Sequence, residues 1–202
     1  EPVPFDLDGN PRIVDGDFDS VAVVDIGAYE FDWGTRFLVN SLADVVASDG
    51  VVTLREAIEA ANTNSAVTAD VPAGSFLGMD RITFDRPALQ AEAGQGTPLV
   101  IALNGTELLV SDEVEIRGLG EDVLTIDAQE LSRVLRVARD TGEVFLSGLT
   151  LTGGYHQGPG GGAIEKFQSS LTMTDCTISE STTTDIGGGI HNNGGPLVLI
   201  NT

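Results

Sequence analysis

The sequence predicts an all-β chain wound as a right-handed parallel β-helix, with a short capping helix on its N-terminal side. Three observations predict it. The first is composition: of 202 residues 25 are Gly, only 5% are aromatic and 41% are apolar. That balance disfavours a helical bundle and suits many short strands joined by tight turns. The second is a repeat. "GGAIEKFQSSLTMTDC" (161–176) lies over "GGGIHNNGGPLVLINT" (187–202) without gaps, at an offset of 26 residues. Ile164 then meets Ile190, Leu171 meets Leu197, Met173 meets Leu199 and Asp175 meets Asn201. One step earlier "VFLSGLTLTGG" fits "LTMTDCTISES" at an offset of 27, placing Val144 on Leu171 and Leu146 on Met173, and "VEIRGLGEDVLTIDA" is a looser version of the phrase. The third is the period within each phrase, which is 2: Leu171 and Met173 point one way, Thr172 and Thr174 the other. Short strands recurring every ~20–30 residues, with turn residues at matched positions, mark a solenoid. A helical repeat needs two stretches of helical periodicity in every unit, and none appears.

Taken in order, residues 1–35 are rich in Asp, Gly and Pro and end in the alternating strand "VAVVDIGAYEF". Residues 36–98 hold a strand ("RFLVNS"), a helix over 53–62 and a long irregular stretch, and form the N-terminal cap region. In "TLREAIEAAN" the residues Leu54, Ala57, Ile58 and Ala61 make one apolar stripe. Thr53 and Glu56 spell a capping box, each satisfying the other's orphan backbone N–H, and Asn62 is expected to stop the helix. So short a helix does not stand alone. Its stripe is expected to plug the open end of the β-helix, where the first rung exposes its edge. Residues 99–202 supply the rungs, stacked ~4.8 Å apart with like residues in interior ladders. Gly clusters serve the corners, where positive φ or close backbone approach is needed. The chain opens "EPVPFDLDGN", without Met or an apolar leader, and closes on "GGPLVLINT" partway through a repeat. Both ends look cut, which leaves a signal peptide, an anchor or an active site to be sought outside this stretch.

Several of these phrases resemble one family. "VTLREAIEAAN" (52–62) is similar to the CSLREA-type motif that begins many bacterial secreted β-helix proteins, with Thr53 at the small polar position. "RITF", "VEIRGLGEDVLTIDA" and "LSGLTLTGG" follow in that family's order, and "GGAI" at 161–164 resembles the repeat of chlamydial polymorphic outer-membrane proteins. "DLDGNPRIVDGDFDSVAVVDIGAYEF" (6–31) resembles the closing segment of choice-of-anchor-type β-helix proteins. On this resemblance residues 1–31 are the tail of one β-helical unit, "DWGT" (32–35) is the seam, and 36–202 are the head of the next. It implies a tandem, exported protein, extracellular or at the cell surface, with a structural, adhesive or carbohydrate-contacting role. It supplies no catalytic residues.

Charge narrows the partners. With 31 Asp and Glu against 10 Lys and Arg the net charge is −21, a field that repels phosphate backbones and anionic membrane surfaces. Attraction of divalent cations and plain solubility remain, solubility being the simpler. No apolar run reaches the ~18 residues of a membrane span. The single cysteine, Cys176, forms no internal disulfide and is expected to pack as a small apolar residue.

Candidate chemistry is sparse. Asp15, Asp17 and Asp19 in "DGDFDS" alternate and can direct three carboxylates at one calcium. The EF-hand proper is excluded, because Ser20 replaces the turn Gly and Ile26 the bidentate Glu. Asp6, Asp8 and Asn10 begin a second such pattern that Pro11 breaks; for both, the plainer reading is a solvated Asx-turn loop. Asp127, Asp175 and Asp185 are carboxylates of the type that β-helical lyases and hydrolases use, but turn-capping fits them better, since Asp175 lies over Asn201 and not over a second acid. His156 and His191 share neither motif nor register, and Ser147 and Ser179 lack a nucleophile setting. "GGYHQGPGGG" reads as a flexible corner insertion and "RGLGEDV", with Val123 where a third Gly belongs, as a rung corner. Arg55, off the helix stripe, can pair with a carboxylate at the surface, and Asn104-Gly105-Thr106 spells a sequon in a turn. Outer strand positions offer mainly Thr, Ser and Asn. The expectation is a non-catalytic structural or adhesive segment with a carbohydrate or cell-surface component as partner. Two alternatives stand beside it. A polysaccharide-active β-helix enzyme would show carboxylates, or a carboxylate and a base, aligned on outer positions of consecutive rungs. A calcium-stabilised glycan-binding module would show calcium dependence.

Overall fold

Alternating apolar residues every second position need a sheet with one dry face, and the computed structural model shows how the chain makes one. It describes residues 34–202 together with the strands Ile13–Val14 (β1) and Val23–Val24 (β2), which pair antiparallel. The chain divides into two compact units between Trp33 and Gly34. The calcium candidates Asp15, Asp17 and Asp19, and the earlier Asp6, Asp8 and Asn10, lie outside the described residues.

The second unit is a parallel β-helix of about four turns, built on three parallel sheets. The first sheet runs β3 (Arg36–Val39), β4 (Asp80–Phe84), β7 (Val114–Arg117), β10 (Glu143–Ser147), β14 (Ser170–Thr174) and β18 (Leu197–Ile200). The second stacks β5 (Leu99–Ala102), β8 (Leu124–Asp127), β11 (Thr150–Thr152) and β15 (Thr177–Ile178). The third stacks β6 (Leu108–Val110), β9 (Leu135–Val137), β13 (Ile164–Phe167) and β17 (Ile190–Asn193). From β4 onward each turn of chain visits the three sheets in order, so residues 25–34 apart become neighbours.

The repeat is the register. Ile164 pairs with Ile190, Leu171 with Leu197, Met173 with Leu199, Val144 with Leu171 and Leu146 with Met173. One interior ladder runs Phe37–Ile82–Ile116–Leu146–Met173–Leu199 through the first sheet. Burying such a side chain contributes about 1.5–3 kcal/mol. The ladder is dry up to Met173, whereas Leu199 on the last strand is 47% exposed because no rung follows it in this structure. One interior ladder of the third sheet changes character along its length, from Val110 and Val137 to Lys166 and Asn192.

Corners repeat as well. Gly148, Asp175 and Asn201 occupy matched corner positions with φ of 60°, 51° and 50°, the left-handed region that Gly, Asp and Asn tolerate best. Asn201 donates its side-chain N–H to the Asp175 carboxylate at 3.0 Å. In "GGAI" it is close approach that demands glycine: a Cβ on Gly161 would lie 1.7 Å from the Ile164 carbonyl oxygen.

Helix α1 (Leu54–Thr63) buries Leu54, Ala57, Ile58 and Ala61, and packs against β3, β4 and β6 of the first turn. Its capping box is complete: the Thr53 hydroxyl accepts from the Glu56 N–H, and the Glu56 carboxylate accepts from the Thr53 N–H at 2.9 Å. Asn62 does not stop it. The helix runs on to Thr63 and is capped by Asn64 at φ 50°. Asn62 docks on the edge of β6 instead, donating to the Leu109 carbonyl and accepting from the Ser111 N–H, both at 2.7 Å.

The irregular stretch expected before residue 98 contains a second helix, α2 (Arg86–Ala93), capped by Asp85 and burying Leu89. "GGYHQGPGGG" is not merely a flexible insertion either. Tyr155–His156 (β12) pairs in parallel with Thr182–Thr183 (β16), an extra strand layer between the second and third sheets. "RGLGEDV" is a rung corner, with the Gly120 N–H donating to the Gly148 carbonyl.

Candidate functional site

Because side chains on a β-helix rung alternate in and out, outward residues of successive rungs form columns. The outer column of the third sheet is Leu109–Arg136–Glu165–His191. Beside it stand Glu107, just before β6, and Arg133, just before β9. Arg133 donates to Glu107 at 3.1 Å and to the Gly161 carbonyl at 3.0 Å, and pairs with Glu165 at 2.7 Å. Arg136 lies 3.6 Å from the other Glu107 oxygen, with its guanidinium over the Phe167 ring. His191 Nδ1, buried and without a hydrogen-bond partner, is 3.7 Å from the second Glu165 oxygen.

The chain of charges continues toward the cap. Arg55 grips Asp44 with two nitrogens at 2.7 and 2.9 Å and donates to the backbone carbonyls of Thr106 and Glu107. This is not the surface pair expected from the sequence, since the Asp44 side chain is 1% exposed. Asp44 also accepts from the Asn104 N–H, and the Asn104 amide donates to the Asp44 carbonyl, so the sequon's side chain is engaged in the cap. From Asp44 through Arg55, Glu107, Arg133 and Glu165 to His191, acid and base alternate along one side of the β-helix from cap to last rung. The Arg133 and Glu165 side chains are only 10% and 9% exposed.

The outer faces are therefore more charged than expected. A column of the first sheet reads Arg36–Arg81–Glu115–Phe145–Thr172–Val198. Burial pushes the Glu115 carboxyl up, but Arg117 and Arg81, at 2.5 and 2.8 Å, outweigh it and hold the group below its ordinary range. The threonine reading does hold on the second sheet, where Thr125, Thr150 and Thr177 stack. There Glu121 covers them, accepting from the Thr150 hydroxyl on its carbonyl and from the Thr177 hydroxyl on its carboxylate.

The sequence-derived acids are not brought together. Asp127 ends β8 and accepts from the Gln129 N–H at 2.7 Å, an Asx turn. Asp175 occupies the corner described above, and exposed Asp185 lies in the turn after β16. His156, on β12, and His191, on β17, stand on different sheets. Ser179 bonds the Thr152 hydroxyl. Cys176 is buried, and burial raises its thiol above the ordinary range. Among the described residues no three His, Cys, Asp or Glu side chains gather as a metal site, and no helix is long and apolar enough to cross a membrane. Compared with protein-family models, with curated proteins and with solved structures, the chain matches none.

The ionic column was partly legible. The same offset of 26 that pairs Ile164 with Ile190 also places Glu165 on His191. Arg133 and Arg136 precede the clear repeat, and nothing in their local phrase marks them.

Proposed function

We propose that this segment is a non-catalytic β-helical module of an exported bacterial surface protein, working outside the cell to extend, display or adhere. The observation that carries the proposal is the alternating ion column. Glu107, Arg133 and Glu165 face one another across rungs, and the central pair, Arg133 and Glu165, is nine-tenths buried. Groups so engaged hold coils in register, whereas a general acid or base must reach the proton it transfers. The resemblance of "TLREAIEAAN" to secreted β-helix proteins supports the location.

One observation favours a second reading, a polysaccharide-active enzyme. Arg136, Glu165 and His191 do align on outer positions of consecutive rungs, the arrangement such an enzyme would need. Incubating the purified chain with pectin, alginate and neutral glucans, with and without calcium, separates the two. The proposal expects no product. Turnover that Glu165→Gln or Asp127→Asn abolishes would replace it with the enzyme.

A further inference from the structure

Three consecutive turns of the β-helix contribute to a groove of about 410 Å³ on its outer corner. Thr106 and Glu107 come from the first turn, Leu131 and Arg133 from the second, and Tyr155, His156 and Gln157 from the third. This volume lies within the ~300–1,000 Å³ range of ligand sites.

The charged members are already engaged. Arg133 is bonded to Glu107, Glu165 and the Gly161 carbonyl, and Glu107 faces both Arg133 and Arg136. The groove's one lining guanidinium, that of Arg133, is therefore not free to clamp an anion, and the chain's net charge of −21 repels one. What remains open is a set of hydrogen-bonding groups. The Thr106 hydroxyl, the His156 imidazole and the Gln157 carboxamide form no hydrogen bond with any described residue. Leu131 is 63% exposed and Tyr155 36% exposed, and they supply apolar surface in the same groove. The groove also offers little for a peptide strand to pair with. The Tyr155 N–H donates to the Ser132 carbonyl, and the carbonyls of Gly154 and His156 accept from Thr182 and Thr184.

We propose that this groove binds a neutral oligosaccharide lying along the β-helix axis, with a sugar ring against Tyr155. A sugar presents hydroxyls at its edge and C–H groups on its face, and the groove pairs hydrogen-bonding groups with an aromatic ring in the same way. Rungs repeat about every 4.8 Å, a spacing that lets successive sugars meet successive turns. The inference rests on the reading of the segment as a non-catalytic contact surface and names the class of partner it contacts.

The test is calorimetric titration of the purified chain with cellohexaose, xylohexaose, mannohexaose and a β-1,3-glucan hexamer, with hexagalacturonate and an uncharged hexapeptide as controls. At least one neutral sugar should bind saturably. Tyr155→Ala and, separately, Leu131→Asp should weaken that binding about tenfold or more, with the melting temperature unchanged. Absence of saturable binding by every neutral sugar, equal binding of hexagalacturonate or the peptide, or indifference to both substitutions overturns the proposal. Product analysis of the same mixtures keeps the two readings apart. A sugar bound and cleaved removes the non-catalytic reading and leaves the groove standing, whereas no binding and no cleavage removes only the groove.

Discussion

Lys166, the chain's one lysine, is fully buried in an interior ladder that begins with valines. Its ammonium donates to the Ser169 and Gly194 carbonyls, both at 2.6 Å, across a corner of two successive turns. Burial pushes its pKa below the ordinary 10.5. The folded chain therefore releases this proton before the unfolded chain does. Between the folded pKa and 10.5 the unfolded state binds more protons, so stability contributed by this group rises with pH. Lys166→Met should lower stability by about 1–3 kcal/mol at neutral pH, because two buried carbonyls lose their donor. It should also abolish the alkaline rise. Urea titrations at neutral and alkaline pH read both effects. The inward direction of Lys166 was implicit in the period, since Ile164 two residues earlier faces the core. Residue type argued the other way, because an unpaired lysine is rarely interior. Only the carbonyls of a neighbouring turn, invisible in a linear reading, resolve the conflict.

At the scale of elements, α1 was the most legible feature, because both its stripe and its capping box are local. Thr53→Ala should cost about 0.5–2 kcal/mol, measured as a shift of the urea midpoint, since it unbonds the Glu56 N–H at the buried start of the helix. The end of α1 was misread because Asn62 serves β6, an element 47 residues away in sequence. Helix α2 was missed although Asp85, followed by Pro87, is an N-terminal signal; its apolar residues are alanines apart from Leu89, and Leu89 is its one buried residue. In the first sheet, Arg81 and Arg117 depress the Glu115 pKa, so the stability this group lends is present above its ordinary value of 4.5 and is lost as pH falls through the lowered one. Glu115→Gln should flatten that part of the acid limb, which melting curves between about pH 6 and 3 will show.

For the molecule as a whole, the repeat made the β-helix legible because parallel stacking converts sequence offset directly into spatial contact. Glu165 over His191 belongs to that legible part. The link to Glu107 through Arg133 does not, because it crosses rungs of unequal length and joins residues just outside the strands. The proposed role of this column's outward acids and bases is to hold turns together without performing chemistry. A double-mutant cycle on Arg133→Met and Glu165→Gln, read by urea denaturation and by polysaccharide turnover on the same four proteins, tests it most directly. The expected outcome is a coupling of about 0.5–3 kcal/mol and no turnover in any of the four. Additive stability effects, within about 0.5 kcal/mol, together with turnover in the parent chain that Glu165→Gln abolishes, would contradict it.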